Sequence, residues 1–261
     1  MNKREMTVGG SFYPANCSEL QKYFDKFNSS YKNDQIKQKA KAVISPHAGY
    51  IYSGFSANAA FSSIDTSNIK RVIVIGPSHR VYVKGASTAL YDSYSSPCGD
   101  ITIDLDYSKK LIEKYENISF SSEAHQEHST ETQVPFIKHY FTDIKLIEIV
   151  YGDMNHTELM PLIKDIFSEE ENLLVISTDL SHFHTLKKAN ILDNSCLEAA
   201  KNLDISRLEL GCEACGIIGL KAVLQSAKEL GLKSELIDYR TSYDASGDAE
   251  RVVGYMSAVI F

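Results

Sequence analysis

Short runs of apolar residues alternate with longer amphipathic stretches along this 261-residue chain. Three segments, Ala42–His47, Arg71–His79 and Leu173–His182, each contain an unbroken apolar run followed by small or polar residues. Such runs are typical of strands buried on both faces of a parallel sheet, and the amphipathic stretches are typical of helices. The alternation predicts an α/β fold in which one domain, residues 1–261, has a mostly parallel central sheet sandwiched between helices.

The same pattern gives approximate positions for the other elements. Helices are predicted from Asn16 or Ser18, near 56–63, 107–115, 130–141, 189–202 and 215–230, and from Asn155. Strands are predicted near 87–90, 101–103, 145–150, 236–239 and 252–260, and a polar loop at 32–38. Capping boxes, in which side chains at a helix start bond the backbone, are predicted for Thr130 with Gln133 and Asn155 with Glu158.

Composition narrows the classes of function. The chain is 43% hydrophobic and 23% charged, enough for a sizeable core, and its formal net charge is -7. An acidic chain lacks the basic surface that nucleic acids require, so no nucleic-acid partner is expected. No apolar run reaches the length of a membrane span, and residues 1–5 do not resemble the start of a signal peptide.

Cysteine usage bears on the compartment. The cysteines are Cys17, Cys98, Cys196, Cys212 and Cys215. Because their number is odd and no export signal is recognisable, we expect reduced thiols and a cytoplasmic protein.

Each of the three buried strands is followed by a histidine, which is the strongest candidate chemistry in the chain. The residues are His47, His79 and His182. The crevice beyond the carboxyl ends of parallel strands is the usual binding site in such sheets, and imidazole is the commonest metal ligand. One histidine there is more often structural, but three at equivalent strand ends favour a metal site. Asp179 is a candidate acceptor that would orient an imidazole.

Other residues extend this candidate site. His128 lies just before a predicted helix and is a candidate acid or base, although polar residues also gather at helix starts for structural reasons. Tyr50 and Tyr52, downstream of His47, are candidates to line the same substrate pocket.

A cysteine pair, Cys212 and Cys215, lies at the predicted start of a helix. Because a helix N-terminus lowers the pKa of a thiol, a metal ligand, a redox dithiol and a nucleophile are all open readings, beside simple packing. Together with the histidines, a cysteine ligand becomes attractive, since thiolate with imidazoles suits iron, copper or zinc.

Several motifs together resemble the Memo family, whose prokaryotic members are called AmmeMemoRadiSam system protein B. The resembling segments are Gly10-Ser11-Phe12-Tyr13-Pro14, Pro46-His47-Ala48-Gly49-Tyr50-Ile51-Tyr52-Ser53-Gly54, Gly76-Pro77-Ser78-His79, Glu127-His128-Ser129-Thr130-Glu131, Ser177-Thr178-Asp179-Leu180-Ser181-His182, Cys215-Gly216, and Ser242 through Tyr255. Their order and their coverage of nearly the whole chain make the resemblance specific.

The resemblance implies a fold similar to the class III extradiol dioxygenases, which hold non-haem iron(II) with two histidines and a carboxylate. It implies His47, His79 and a cysteine as metal ligands here, with His182 in the same pocket as a further candidate ligand. It also implies association with a radical-SAM protein in prokaryotes. At the cysteine the chain departs from the family pattern, which has a proline shortly after Cys-Gly. Cys215 is preferred because Gly216 follows it, and Cys212 remains the alternative.

Three functions follow from this reading. The first is a metal-binding protein with redox or oxygen chemistry, using iron or copper, on an unknown small-molecule or peptide ligand. The second is an iron(II) ring-cleaving dioxygenase, with His128 or His182 as acid and base and Asp179 in support. The third is a non-catalytic module that binds a peptide or a partner protein.

Overall fold

The computed structural model describes residues 2–31 and 37–261, so most of the predicted polar loop, at 32–36, lies outside the described residues. The strands are β1 (Lys3–Arg4), β2 (Ala42–Ser45), β3 (Arg71–Pro77), β4 (Ala86–Thr88), β5 (Ser93–Tyr94), β6 (Ile101–Thr102), β7 (Ile118–Ser119), β8 (Lys145–Tyr151), β9 (Asn172–Ser177), β10 (His182–His184), β11 (Ser234–Thr241) and β12 (Val252–Ile260). The helices are α1 (Cys17–Ser30), α2 (Tyr50–Ser62), α3 (Leu105–Lys114), α4 (His128–Glu131), α5 (Val134–Tyr140), α6 (His156–Ser168), α7 (Leu186–Asn202), α8 (Ile217–Glu229) and α9 (Tyr243–Ser246), with a 3₁₀-helix at Ile205–Leu210.

Four parallel strands form the middle of the large sheet, in the order β2–β9–β3–β8. Antiparallel strands extend the sheet on both sides, where β12 pairs with β2 and β4 pairs with β8. Both β10 and β11 pair with β12, and β1, β5 and β6 form a separate small sheet. The predicted parallel sheet is confirmed at the centre, while its edges make the whole sheet mixed. A short connection through α9 suffices between β11 and β12, because antiparallel neighbours need no helical crossover.

Alternate residues of the central strands point to opposite faces of the sheet and build two apolar cores. Val43 and Val175 belong to the core that includes α1, α2 and α5, whereas Ile44 and Ile176 belong to the core that includes α6, α7 and α8. The strands are therefore buried on both faces, as their continuous apolar sequence predicts. This arrangement confirms a single α/β domain with helices on both sides of the sheet.

Most predicted elements are present, but α2 begins earlier than expected. It starts at Tyr50 rather than near residue 56, and Gly49 is its N-cap residue. Apolar residues lie on all sides of this helix, so a search for apolar residues at helical spacing does not reveal its first turns. At α6 the predicted capping box of Asn155 with Glu158 is confirmed.

The helix predicted over 130–141 is two short helices, α4 and α5. Glu127 caps the first of them by accepting hydrogen bonds from the amides of the next two residues. The hydroxyl of Thr130 instead donates to the buried carboxylate of Glu148. The capping box predicted for Thr130 is therefore wrong, because a buried acceptor in the core takes the hydroxyl away from the helix start.

Four of the five cysteines form disulfides. Cys17 bonds to Cys98 and Cys196 bonds to Cys212, whereas Cys215 is a free thiol. The expectation of reduced thiols is wrong for these four residues, because the fold, and not the number of cysteines, decides which sulfurs meet. Within the part of the chain that the structure describes, no helix is both long and apolar enough to cross a bilayer.

Candidate metal centre

The carboxyl ends of three central strands lie side by side, and the predicted site residues follow them directly. β9 pairs with β2 on one side and with β3 on the other. His47 follows β2, His79 follows β3, and the segment 178–182 follows β9. The strand order, which a sequence pattern alone does not fix, thus brings residues that are far apart in the chain to one edge of the sheet.

His47, His79 and Cys215 form a compact group of candidate metal donors. One donor atom from each lies within 4.8 Å of the other two, and Sγ of Cys215 is 3.4 Å from Nε2 of His47. A tetrahedral ion with nitrogen ligands at about 2.0–2.1 Å and a sulfur ligand at about 2.3 Å separates such donors by about 3.5 Å. The separation of Cys215 from His47 matches this value, and His79 lies near enough to be a third candidate ligand. Cys212 is held in its disulfide, so its sulfur is not a free thiolate for the alternative role.

Hydrogen bonds behind His47 determine which of its ring nitrogens carries the proton. The hydroxyl of Ser177 donates to the carbonyl oxygen of Ser129 at 2.5 Å, so its oxygen must accept from Nδ1 of His47, 3.0 Å away. The side-chain amide of Gln133 donates to the same hydroxyl oxygen. Because Nδ1 carries the proton, Nε2 presents its lone pair toward Cys215, which is the form that a metal ligand requires.

Burial favours the uncharged forms of His47 and Cys215. The ring of His47 is 2% exposed, and burial lowers its pKa to about 4 although the nearby charge of Asp179 opposes the shift. Burial and the charge of Asp179 raise the pKa of the Cys215 thiol to about 12. A neutral imidazole is ready to bind a cation, whereas the thiol must release its proton to do so.

Asp179 makes hydrogen bonds to the main chain of the site. Its carboxylate accepts a hydrogen bond of 2.8 Å from the backbone amide of His47. Its own amide donates to Sγ of Cys215 at 3.3 Å, and its carbonyl oxygen accepts from the amide of Cys215. The Asp179 carboxylate also lies 4.0 Å from Nε2 of His47, so its expected role beside an imidazole stays a prediction, next to the contacts that fix the backbone of two candidate ligands.

The ring of His128 lies near the rings of both candidate ligand histidines. Its ring centroid is 4.7 Å from that of His79 and 5.5 Å from that of His47, and the latter two are 5.3 Å apart. Three imidazoles therefore meet at the same edge of the sheet. His128 belongs to a second group of possible metal donors, with His79 and Glu127, and its expected role as an acid or base stays a prediction.

A cleft of about 410 Å³ lies beside the donor group. Its walls include Tyr52, His128, Asp179, His182 and Phe183. His182 lines this cleft but is outside the donor group of His47, His79 and Cys215.

The two tyrosines predicted to line the pocket face different surroundings. Tyr52 is 43% exposed and lines the cleft, but Tyr50 is only 2% exposed and packs against Phe136 in the core. The hydroxyl of Tyr50 donates to the carbonyl oxygen of Thr132. Residues two positions apart on a helix face different sides, so the expectation is corrected for Tyr50.

The pattern of the sequence does not identify three polar residues that support the donors, namely Glu127, Ser177 and Gln133. Glu127 accepts hydrogen bonds from ring nitrogens of both His79 and His128. Burial opposes the charge of Glu127, but the hydrogen bonds from the two imidazoles outweigh burial and lower its pKa. Its signal in the sequence is weak, because a helix cap is more often Ser, Thr, Asp or Asn.

The fold and this site define a class of α/β proteins in which imidazoles and a thiol cluster at the carboxyl edge of parallel strands. A family model described as Memo-like protein matches residues 4–259, and the chain therefore belongs to the Memo family. It is 32% identical to a MEMO1 family protein of Aquifex aeolicus over 99% of both chains. A MEMO1 family protein of Methanococcoides burtonii is also 32% identical, over 98% of this chain and 99% of the relative. One of Nitrosopumilus maritimus is 29% identical over 97% of each.

Proposed function

We propose that this Memo-family protein binds one iron or copper ion through His47, His79 and Cys215 and uses it for redox or oxygen chemistry. The observation that carries the proposal is the spacing of the donor atoms, which includes 3.4 Å between the Cys215 sulfur and the His47 Nε2 atom. Two imidazoles with a thiolate form a donor set that suits copper, iron and zinc. Three protein ligands also leave coordination positions open for a substrate.

A bound iron or copper ion would supply one-electron redox chemistry, whereas zinc would supply Lewis acidity alone. The protein's own residues would bind the substrate and handle protons. The cleft admits a small molecule or a short peptide, with Tyr52 and Phe183 as apolar contacts. His128 and His182 line the same cleft and would give or take protons there. Asp179 would hold the backbone of His47 in place.

Metal titration tests the proposal. Protein purified without added metal is titrated with iron(II) under anaerobic conditions and with copper(I), and bound metal is counted by elemental analysis. The expected result is one ion per chain for the wild type. Cys215→Ser and His47→Ala should weaken binding by more than the roughly 10- to 100-fold that loss of an outer supporting residue causes.

His156→Ala is the matched control, because His156 lies at the start of α6 and contacts Gln225 rather than the donor group. It should retain wild-type binding. The proposal is refuted if the wild type takes up neither metal, or if Cys215→Ser and His47→Ala bind as tightly as His156→Ala.

A binding module without catalysis is the second candidate, and two exposed aromatic residues at the cleft favour it. Phe183 is 63% exposed and Tyr52 is 43% exposed, and both line the cleft, where they would contact a bound peptide or partner. If a peptide ligand is found, His47→Ala separates the two functions. Unchanged peptide affinity with lost metal uptake supports the module, whereas loss of both supports a metal-dependent site.

A catechol assay on the iron(II)-loaded protein tests the ring-cleaving alternative. Formation of a ring-opened product that His128→Ala abolishes would support it. A loaded protein that leaves catechols intact would exclude those substrates. The thiolate separates this site from the two-histidine, one-carboxylate arrangement, because sulfur is softer and donates more charge.

A further inference from the structure

One buried carboxylate, that of Glu127, holds two of the three clustered imidazoles. Oε1 of Glu127 is 2.7 Å from Nδ1 of His128 and 3.2 Å from Nδ1 of His79, and Oε2 accepts from the backbone amide of His79 at 2.6 Å. The backbone amides of His128 and Ser129 also donate to Oε1. Glu127 is 1% exposed, so these donors replace water almost completely.

The chemistry of the contacts assigns the protons. An ionised carboxylate can only accept hydrogen bonds, so Nδ1 must be the protonated nitrogen in both rings. In the neutral ring Nε2 is then the unprotonated nitrogen, and it lies on the far side of the ring from Glu127. Nδ1 is likewise the protonated nitrogen of His47, through Ser177. All three clustered imidazoles therefore have the same tautomer. Glu127 fixes it for His79 and His128, and Ser177 fixes it for His47.

We propose that Glu127 is a positioning residue, which fixes the ring orientation and the Nδ1–H tautomer of His79 and His128 together. Its role for His79 rests on the proposed function, since it matters most if His79 binds a metal. Its role for His128 does not, because that ring faces the cleft in either case. One carboxylate thus links a candidate ligand to a candidate proton carrier, and a change at Glu127 affects both.

A glutamine at position 127 cannot accept hydrogen bonds from all of these donors. The substitution Glu127→Gln replaces one acceptor oxygen by an amide that can only donate, while four donors from His79 and His128 compete for the single oxygen that remains. A matched control lies one helical turn away. Glu131 is also fully buried, but its partners are Arg4, Thr7, Val8 and Tyr13 rather than the imidazoles.

Nitrogen NMR of the metal-free protein reads the tautomers directly. Long-range proton–nitrogen spectra distinguish protonated from unprotonated ring nitrogens, and single His79→Gln and His128→Gln variants assign the signals. We expect Nδ1–H for both rings in the wild type and in Glu131→Gln, and a mixture with Nε2–H in Glu127→Gln. Nε2–H tautomers in the wild type would overturn the inference even if no variant folds, and so would unchanged tautomers in Glu127→Gln.

Metal affinity gives the second readout. Loss of a residue that orients a ligand typically weakens metal binding by roughly 10- to 100-fold, which is the effect expected for Glu127→Gln. Glu131→Gln should lower the melting temperature and leave the affinity of the folded protein unchanged. Equal losses of affinity in the two variants would overturn the positioning role. If the wild type binds no metal but shows both Nδ1–H tautomers, the proposed function fails and the positioning role of Glu127 stands.

Discussion

Gly216→Ala should impair both folding and metal binding, because residue 216 packs against the end of β9. A Cβ atom there would lie 2.6 Å from Cβ of Thr178 and 2.9 Å from the carbonyl oxygen of Ser177. Ordinary contact begins at 3.4 Å, so the strand end or the turn that carries Cys215 must move by most of an ångström. The backbone torsion, with φ of -91°, is accessible to alanine, so the cost is steric.

The size of the effect follows from this overlap. Adding a methyl group to a well-packed interior typically costs about 1–3 kcal/mol, which lowers the melting temperature of a protein of this size by about 2–12 °C. A similar displacement of the Cys215 sulfur would change its 3.4 Å separation from Nε2 of His47. The expected loss of metal affinity is about 10- to 100-fold, as for other changes that misplace a ligand.

Thermal unfolding of the metal-free protein and competitive metal titration measure the two effects. Gly9→Ala is the control, because its added Cβ would meet nothing closer than 3.4 Å, at the sulfur of Met6. It should behave as the wild type. Wild-type stability of Gly216→Ala would refute the steric reasoning. Lowered stability with wild-type affinity would show instead that Cys215 is not displaced or is not a ligand.

Three further perturbations have defined outcomes. Arg4→Met should lower the free energy of unfolding in urea by about 3–5 kcal/mol, because Glu131 keeps a buried charge without its cation, and a negligible loss would contradict this. The metal-free protein should lose about 3 kcal/mol of stability as the pH falls from 6.5 to 4, because His47 binds a proton at higher pH in the unfolded chain than in the folded one. An equal dependence of stability on pH in His47→Asn would show that other groups cause the loss. Cys212→Ser should lower the free energy of unfolding by about 3 kcal/mol through the lost disulfide and retain metal affinity. Cys215→Ser should retain stability and lose metal affinity. Loss of metal affinity in Cys212→Ser but not in Cys215→Ser would identify Cys212 as the ligand.

Local features of the fold can be read from the sequence because their causes are local. The apolar runs before His47 and His79 predict β2 and β3, because a strand covered by helices on both faces has apolar residues at consecutive positions. The last strand, β12, has the predicted bounds of 252–260. The position of α2 was harder to predict, because its buried residues include many small ones and its apolar pattern has no clear period.

Spatial relations are harder to predict, because one chain does not reveal which distant segments meet. The placement of β9 between β2 and β3 decides that His47 and His79 are neighbours. The pairing of Cys196 with Cys212 likewise depends on contact between α7 and the segment before α8. Glu127 escaped prediction for a related reason, since its importance comes from two rings that only the folded chain brings to it.

Close approach of the backbone at two strand ends explains how the site reaches its geometry. A Cβ atom on Gly76, near the end of β3, would lie 2.6 Å from Oγ of Ser129, so glycine lets α4 pack against the strand. The carbonyl oxygen of Ser129 in turn accepts the hydrogen bond from the hydroxyl of Ser177. The oxygen of that hydroxyl is then free to accept from His47. Gly216 likewise lets the turn that carries Cys215 pack against the end of β9. The orientation of the donors is therefore determined by packing of the main chain against rigid strands, which predicts a preformed site that is sensitive to small backbone shifts.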